Sequence, residues 1–144
     1  MTREAHALAA GEAAGPALVL TAPISFWGGV EATTGRIIDR AHPQHGASVA
    51  QCVLVLPGGR GSSSSSAVLA EAIRLGTAPR GIVLGAPDPI LTVGAIVARF
   101  LYGLACPIVV CPIDGVATGD RLRIEAAPGG PARVLRGVEP DVSR

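Results

Sequence analysis

The segment CVLVLPGGRGSSSSSAVLAEAIRL, residues 52–75, decides the fold of this chain. The apolar run at 52–56 predicts a buried strand, and the pattern at 67–75, closed by Gly76, predicts a helix. The glycines between them permit backbone angles that other residues avoid, and they let a ligand approach the main chain. Serines at the first turn of a helix place hydroxyls beside unpaired N–H groups. The segment therefore predicts an anion-binding corner.

The same strand-then-turn design recurs farther along the chain. Strands are predicted at 81–85 and 108–111, with a second helix at 90–101. An apolar run at 17–21 predicts an earlier strand, and the alternation at 121–125 predicts a late one. No internal repeat accompanies this pattern.

The length of the chain indicates one domain, because 144 residues suffice for a single core. We expect this domain to cover residues 1–144. Residues 1–15 are rich in Ala and Gly, and residues 128–144 mix Pro, Gly and Arg. Such end segments are often poorly ordered, so we expect both to be frayed.

Composition argues against two classes of partner. The formal net charge is +1, the 12 basic residues are scattered arginines, and aromatic residues make up 3% of the chain. Neither a basic patch nor a base-stacking surface is indicated, so we expect no nucleic acid partner. The sequence has no apolar run of the roughly 20 residues that span a bilayer, and its start lacks a signal-type stretch. We expect a cytoplasmic protein without membrane contact.

The three cysteines are expected to be reduced and buried. An odd number cannot pair completely within one chain, and a core of this size needs no disulfide. Cys106 and Cys111 lie five residues apart along a predicted strand, which puts their side chains on opposite faces. They are therefore not expected to hold one metal ion together. Cys52 opens another strand and is assigned to the core as well.

The glycine–serine loop fits none of the common alternatives. A flexible linker is disfavoured because a strand enters the loop and a helix leaves it. A P-loop closes with Gly-Lys-Ser or Gly-Lys-Thr, and the chain has no lysine. A serine-hydrolase elbow has Gly two residues on either side of the serine, whereas Gly61 directly precedes Ser62. His42 and His45 lie in a polar loop, where we expect solvent exposure rather than a role as base.

Three segments together resemble the small subunit, or swivelling domain, of aconitase X. They are PISFWGGVEATTGRIIDRAHPQHGASVA at 23–50, VLVLPGGRGSSSSSAVLAEAIRLGTAPRGIV at 53–83, and APDPILTVGAIVA at 86–98. The resemblance covers roughly residues 16–113. It implies an α/β fold of the swivelling β/β/α type, like the mobile domain of aconitases. It also implies an aconitase X large subunit as partner, which holds an iron–sulfur cluster and leaves this chain without a metal site.

The resemblance also implies a reaction and a catalytic residue. Members of this family dehydrate either cis-3-hydroxy-L-proline or (R)-5-phosphomevalonate, with a serine of the small domain as proton acceptor. Carried over to this sequence, that serine is Ser62, directly after the Gly-Arg-Gly turn. Arg60, Gly61, Ser63 and Ser64 become candidate substrate-binding residues. The serine run is similar to the hydroxyproline branch, and the chain would be active only with its large subunit.

Several roles stay open at the level of the sequence. Ser63 and Ser64 are candidates to donate to a substrate carboxylate, although capping the helix is the commoner role of such serines. Asp88 is equally compatible with a place beside the serine loop and with a turn or helix cap. Trp27 is expected in the core, with a cover over the site or a subunit contact as alternatives. A noncatalytic module that binds an anion for structure is the alternative from another class.

Overall fold

A computed structural model describes residues 1–137 of the chain. Within this range seven strands close into a barrel in the order β1-β5-β4-β3-β2-β6-β7. The strands are β1 (Thr2–Ala9), β2 (Gly11–Val19), β3 (Val53–Leu56), β4 (Gly81–Leu84), β5 (Ile108–Val110), β6 (Arg121–Ala126) and β7 (Ala132–Arg136). The helices are a single turn α1 (Phe26–Gly29), then α2 (Ser65–Leu75) and α3 (Pro89–Tyr102).

One half of the barrel is parallel, and this half determines where a site can form. Strands β2, β3, β4 and β5 pair in parallel, while the other pairings are antiparallel. Helix α2 connects β3 to β4, and helix α3 connects β4 to β5. Because the carboxyl ends of parallel strands meet at one edge, the loops that follow β3 and β4 lie side by side. The glycine–serine loop is the first of these two loops.

The core has two layers, and alternate residues of β3 belong to different layers. Val53 and Val55 pack inside the barrel, whereas Leu54 and Leu56 pack on its outer face with α2 and α3. Valine and alanine dominate the barrel interior, where space is limited. All four residues of β3 are buried, as the continuous apolar run predicted.

The expectation of frayed ends is wrong for the described residues. Residues 2–9 form β1, which pairs with β5 and β7, and residues 11–19 form β2, which pairs with β3 and β6. Residues 132–136 form β7, which completes the barrel, while residues 138–144 lie outside the described part. The N-terminal strands are rich in alanine, which gives only a weak alternation of apolar and polar residues, so the sequence does not predict them. The small side chain of alanine nevertheless suits a narrow barrel.

The predicted helices and central strands are confirmed within one or two residues. Helix α2 begins two residues earlier than predicted and ends, as predicted, at a left-handed Gly76 with φ of 80°. Helix α3 covers 89–102 against the predicted 90–101. The predicted strand at 17–21 is instead the last part of β2, which begins at Gly11. No helix in residues 1–137 has the length and hydropathy of a membrane span.

His42 is buried, with only 6% of its surface exposed, although the sequence predicts solvent exposure. Its Nε2 lies 3.0 Å from the carbonyl oxygen of Ala22, and its Nδ1 accepts from the N–H of Gln44 at 3.0 Å. The ring thus connects two parts of the long loop between β2 and β3. The polar sequence around His42 does not indicate that its side chain is buried and hydrogen-bonded at both nitrogens. His45 is exposed, as predicted.

The three cysteines are free and buried, as predicted. Cys106 belongs to the layer beneath the helices and Cys111 to the barrel interior, so they lie on opposite sides of the sheet. Desolvation raises the pKa of Cys52 to about 11 and that of Cys106 to about 12. Burial also raises the pKa of Cys111.

These thiols should resist labelling in the folded chain. We expect a maleimide at pH 7.5 to modify fewer than about one thiol in ten within an hour, because the reactive thiolate is suppressed and shielded. Mass spectrometry after labelling in denaturant, where all three thiols become accessible, provides the control. Rapid modification of the folded chain would contradict the buried placement.

Candidate active site

The loop between β3 and α2 carries its unusual backbone conformation at Ser62. Ser62 has φ of 143°, a value that residues with side chains rarely adopt. None of Gly58, Gly59 and Gly61 has a positive φ. The expectation that these glycines supply the special angles is therefore wrong, and the strained residue is the candidate catalytic serine itself. Such outliers persist where the surrounding structure enforces them, and they cluster at functional sites.

The residues after Ser62 form a tight first turn of α2. The carbonyl oxygen of Ser62 accepts from the N–H of Ser65 at 3.0 Å, and that of Ser63 accepts from Ser66 at 3.3 Å. The N–H groups of Gly61, Ser62, Ser63 and Ser64 have no backbone acceptor in the described chain. The first turn of α2 also lacks an acidic residue. This end of the helix is therefore open to an anion.

The five consecutive serines divide into two structural groups. Ser65 is buried, and its Oγ lies 3.1 Å from the Oγ of Ser25 and accepts from the N–H of Trp27 at 2.9 Å. The Oγ of Ser66 donates to the carbonyl oxygen of Ile90 at 2.6 Å and ties α2 to α3. These two serines are structural, whereas Ser62 is half-buried and Ser63 and Ser64 are exposed.

Ser64 stands at the N-cap position, but its side chain makes no capping hydrogen bond. Its φ of −65° and ψ of −17° are helical, whereas a capping serine has an extended backbone that points Oγ back to the helix. The commoner capping role is thus wrong for Ser64. Ser63 and Ser64 are both exposed, so their hydroxyls are accessible to a ligand.

A stability comparison can separate the two groups of serines. We expect Ser65→Ala to lower the free energy of unfolding by about 1–3 kcal/mol, because Trp27 N–H and Ser25 Oγ would lose a buried partner. Ser64→Ala should change it by less than about 0.5 kcal/mol. Urea denaturation of the two purified variants measures both values. Equal losses would contradict the assignment.

The loops after β3 and β4 are in close contact near Ser62. A Cβ at Gly59 would lie 1.8 Å from Oδ2 of Asp88, and one at Gly85 would lie 3.0 Å from the carbonyl oxygen of Pro57. Gly59 therefore permits a close approach, although to a protein side chain rather than to a ligand. On its other side the loop is held by Ile24, whose carbonyl oxygen accepts from the N–H of Arg60 at 3.2 Å.

Asp88 has the helix-cap role that the sequence left open, and it also lies beside the serine loop. Its Oδ1 accepts from the N–H groups of Ile90 and Leu91 at 2.9 and 3.1 Å. Its Oδ2 contacts Gly59. The carboxylate neutralises the N-terminus of α3, so the neighbouring N-terminus of α2 is left as the uncompensated positive end. Arg60, which is exposed, adds a guanidinium to the same loop.

Phe26 and Trp27 are neighbours in the sequence but differ in burial. Trp27 does not lie in the core, contrary to the expectation. Phe26 is fully buried, whereas Trp27 is 59% exposed. The sequence alone does not reveal the role of Ser25 and Ser65, which hold the α1 turn against α2. The segment Ser25-Phe26-Trp27 was part of the recognised pattern, but nothing in the sequence indicated contact with a serine 40 residues away.

The described residues do not suit an iron–sulfur cluster. Residues 1–137 contain no group of three or more His, Cys, Asp or Glu side chains that can hold a metal. Cluster ligands are thiolates, and here burial raises the pKa of all three cysteine thiols, while Cys106 and Cys111 lie on opposite sides of the sheet.

The barrel, its two packed helices and the serine loop at the edge of the parallel strands define a swivelling β/β/α domain. A sequence model of the aconitase X swivel domain matches residues 2–130. The chain belongs to the aconitase X swivel domain family. The resemblance and the fold class inferred from the sequence are confirmed.

Named relatives fall into two groups of dehydratases. The chain is 48% identical over 101 residues to a cis-3-hydroxy-L-proline dehydratase of Pseudomonas aeruginosa, covering 70% of this chain and 17% of that protein. It is 43% identical over 98 residues to a phosphomevalonate dehydratase small subunit of Methanothermobacter thermautotrophicus, covering 68% and 75%. The chain thus spans under a fifth of the length of the first relative.

A solved structure supports the same family. The crystal structure of Thermococcus kodakaraensis aconitase X in its holo-form superposes with a TM-score of 0.85 at 29% identity. The superposition covers 96% of this chain and 99% of the matched chain.

Proposed function

We propose that this chain is the small, swivelling part of a dehydratase that eliminates water from a hydroxy acid, with Ser62 as the proton acceptor. The observation that carries the proposal is the backbone of Ser62. A strained serine lies two residues before the uncapped N-cap position of α2, and the loop that carries it is held by Ile24 at Arg60 and by Asp88 at Gly59. A phosphate-binding or structural turn would need no serine in such a conformation.

The proposed chemistry uses groups of this chain at one end of the reaction. Ser62 Oγ takes the proton from the carbon beside the substrate carboxylate, and the C–H electron pair becomes the C=C bond. The bond to the hydroxyl on the neighbouring carbon breaks with its electron pair, and the hydroxide takes up a proton and leaves as water. Ser62 releases the abstracted proton when it returns to its anionic form, so the net reaction is the loss of one water. A serine oxygen is a weak base unless its anionic form is stabilised. The free N–H groups of 61–64 and the Arg60 guanidinium would stabilise it.

Arg60 is assigned to the substrate carboxylate. It is exposed, it lies two residues before Ser62, and a guanidinium can bind a carboxylate with two parallel hydrogen bonds. We expect Arg60→Ala to raise KM and lower kcat, together reducing kcat/KM by about 100-fold. Arg60→Lys should restore part of the loss, because the charge stays while the bidentate geometry is lost. Steady-state kinetics of both variants test this. A kcat/KM of Arg60→Ala close to that of the wild type would remove Arg60 from the site.

The remaining groups belong to a partner. We propose a large subunit that holds an iron–sulfur cluster, because the described part of this chain has no residues suited to one. When bound there, the cluster would supply a Lewis acid for the departing hydroxyl. The proposed assembly therefore joins the base of one chain to the metal of another.

The names of the relatives indicate two candidate substrates. We favour cis-3-hydroxy-L-proline, because the relative at 48% identity bears that name and the serine run resembles its branch. (R)-5-phosphomevalonate is the second candidate, supported by the archaeal small subunits at 43% and 41% identity.

One assay tests the proposal and separates the substrates. The chain is co-expressed with an aconitase X large subunit and purified anaerobically, and loss of each hydroxy acid is followed by NMR. Turnover of the first compound supports the hydroxyproline assignment, and turnover of the second supports phosphomevalonate. A stable complex that turns over neither would favour a noncatalytic, anion-binding module.

A further inference from the structure

We propose that Trp27 and Ile38 form the edge by which this domain docks on the large subunit, an inference that rests on the proposed function. Both side chains are apolar and exposed, Trp27 by 59% and Ile38 by 44%. The backbone brings their segments together, because the N–H of Ile38 donates to the carbonyl oxygen of Gly29 at 2.8 Å. We call these two residues the Trp27 edge.

The backbone of Trp27 is fixed, so the exposed indole is a built feature. Its N–H donates to Ser65 Oγ at 2.9 Å, and its carbonyl oxygen accepts from Ser25 Oγ at 3.0 Å. The preceding Phe26 is fully buried and anchors the turn. The domain therefore presents a large aromatic side chain to the solvent on a rigid support. Exposed, preorganised tryptophans of this kind are enriched among the residues that dominate binding energy in protein interfaces.

The position of the Trp27 edge identifies its occupant. Ser65, which holds Trp27, lies three residues after Ser62, and Ile24 bridges to Gly59 in the same loop. Residues 1–137 contain no metal-binding cluster, so the groups that complete the elimination must come from outside and cover this end of the barrel. The N–H of Trp27 binds Ser65, and the N–H of Ser65 binds the carbonyl oxygen of Ser62, so a subunit that covers Ser62 is placed next to the Trp27 edge. We therefore assign the edge to the large subunit, which should carry an apolar socket for the indole.

The area that Trp27 can still bury suits one anchor residue of an interface. A fully buried tryptophan accounts for about 150–250 Å², and Trp27 is 59% exposed, so docking would bury about 90–150 Å² of it. That is roughly a tenth to a fifth of the 800 Å² that one partner buries in a standard interface. Loss of such an anchor typically weakens a complex by tenfold or more.

Fluorine NMR can follow this residue alone, because Trp27 is the single tryptophan of the sequence. Labelling the chain with 5-fluorotryptophan gives one resonance. In the free chain its shift should differ between H₂O and D₂O, as expected for an exposed indole. On assembly with unlabelled large subunit the resonance should move and lose this solvent dependence. Either substrate added without the large subunit should leave it unchanged.

Affinity measurements complete the test. We expect Trp27→Ala to raise the Kd for the large subunit at least about tenfold. The matched control is Phe100→Ala, another exposed aromatic, 87% accessible and about 18 Å along α3 from the loop. It should raise the Kd less than about twofold. Circular dichroism would verify that both variants keep the wild-type fold.

Several results would overturn the docking assignment without affecting the proposed function. They are an unchanged resonance in the assembled complex, a wild-type Kd for Trp27→Ala, or equal weakening by Phe100→Ala. A resonance that responds to substrate without the large subunit would make Trp27 a wall of the substrate site and would also overturn it. If the wild-type chain forms no complex, both this inference and the proposed function fail.

Discussion

Replacement of Gly59 by alanine is expected to destabilise the domain and to reduce dehydration by at least about 100-fold. The new Cβ would lie 1.8 Å from Oδ2 of Asp88 and 2.9 Å from its Cγ, so the carboxylate has to move. That carboxylate caps α3 through Ile90 and Leu91. Loss of the cap should lower the free energy of unfolding by about 1–2 kcal/mol. The displaced loop would also misplace Ser62, and small misplacements of a catalytic group have large effects on rate.

Two variants make the Gly59 prediction specific. In the double variant Gly59→Ala/Asp88→Ala the clash is gone, so its free energy of unfolding should match that of Asp88→Ala alone. Gly58→Ala is the matched control, because its Cβ would meet only Ala86 at an ordinary 4.0 Å. Urea denaturation measures all four proteins. Additive losses in the double variant would show that Asp88 is not what the new methyl group meets.

The contact between Gly59 and Asp88 also illustrates what the sequence does not reveal. Glycine 59 was recognised as special, but the sequence suggested a freed backbone angle or an approaching ligand. The actual reason is a carboxylate from a residue 29 positions later, which local patterns cannot locate. The same holds for Ser65, which is indistinguishable from its four serine neighbours until Ser25 and Trp27 are placed against it.

The elements with strong local signals were predictable. The strand 53–56 and the helix ending at Gly76 follow from continuous hydrophobicity, 3.6-residue periodicity and a glycine stop signal. Strands β1 and β7 and the first part of β2 were not predicted, because they are ordered by pairing with neighbouring strands rather than by a strong side-chain pattern. The family was recognisable because three separate motifs agree, whereas no single motif is diagnostic.

Replacement of Ser62 by alanine is expected to have the largest effect on the reaction. The complex should assemble as usual, while kcat falls by about 1,000-fold, within the range for loss of a general base. Alanine keeps the Cβ, so the strain at φ of 143° stays and the free energy of unfolding should change by less than about 0.5 kcal/mol. Ser62→Gly should be equally inactive but about 1 kcal/mol more stable, because glycine tolerates this φ.

The most direct measurement is kcat for dehydration by complexes assembled with wild-type chain, Ser62→Ala and Ser63→Ala, at matched large-subunit and iron content. Both hydroxy acids should be assayed at saturation. We predict a loss of about 1,000-fold for Ser62→Ala and of less than about tenfold for Ser63→Ala, which keeps the neighbouring hydroxyl and the helix terminus. A fully assembled Ser62→Ala complex that turns over at the wild-type rate would contradict Ser62 as the proton acceptor.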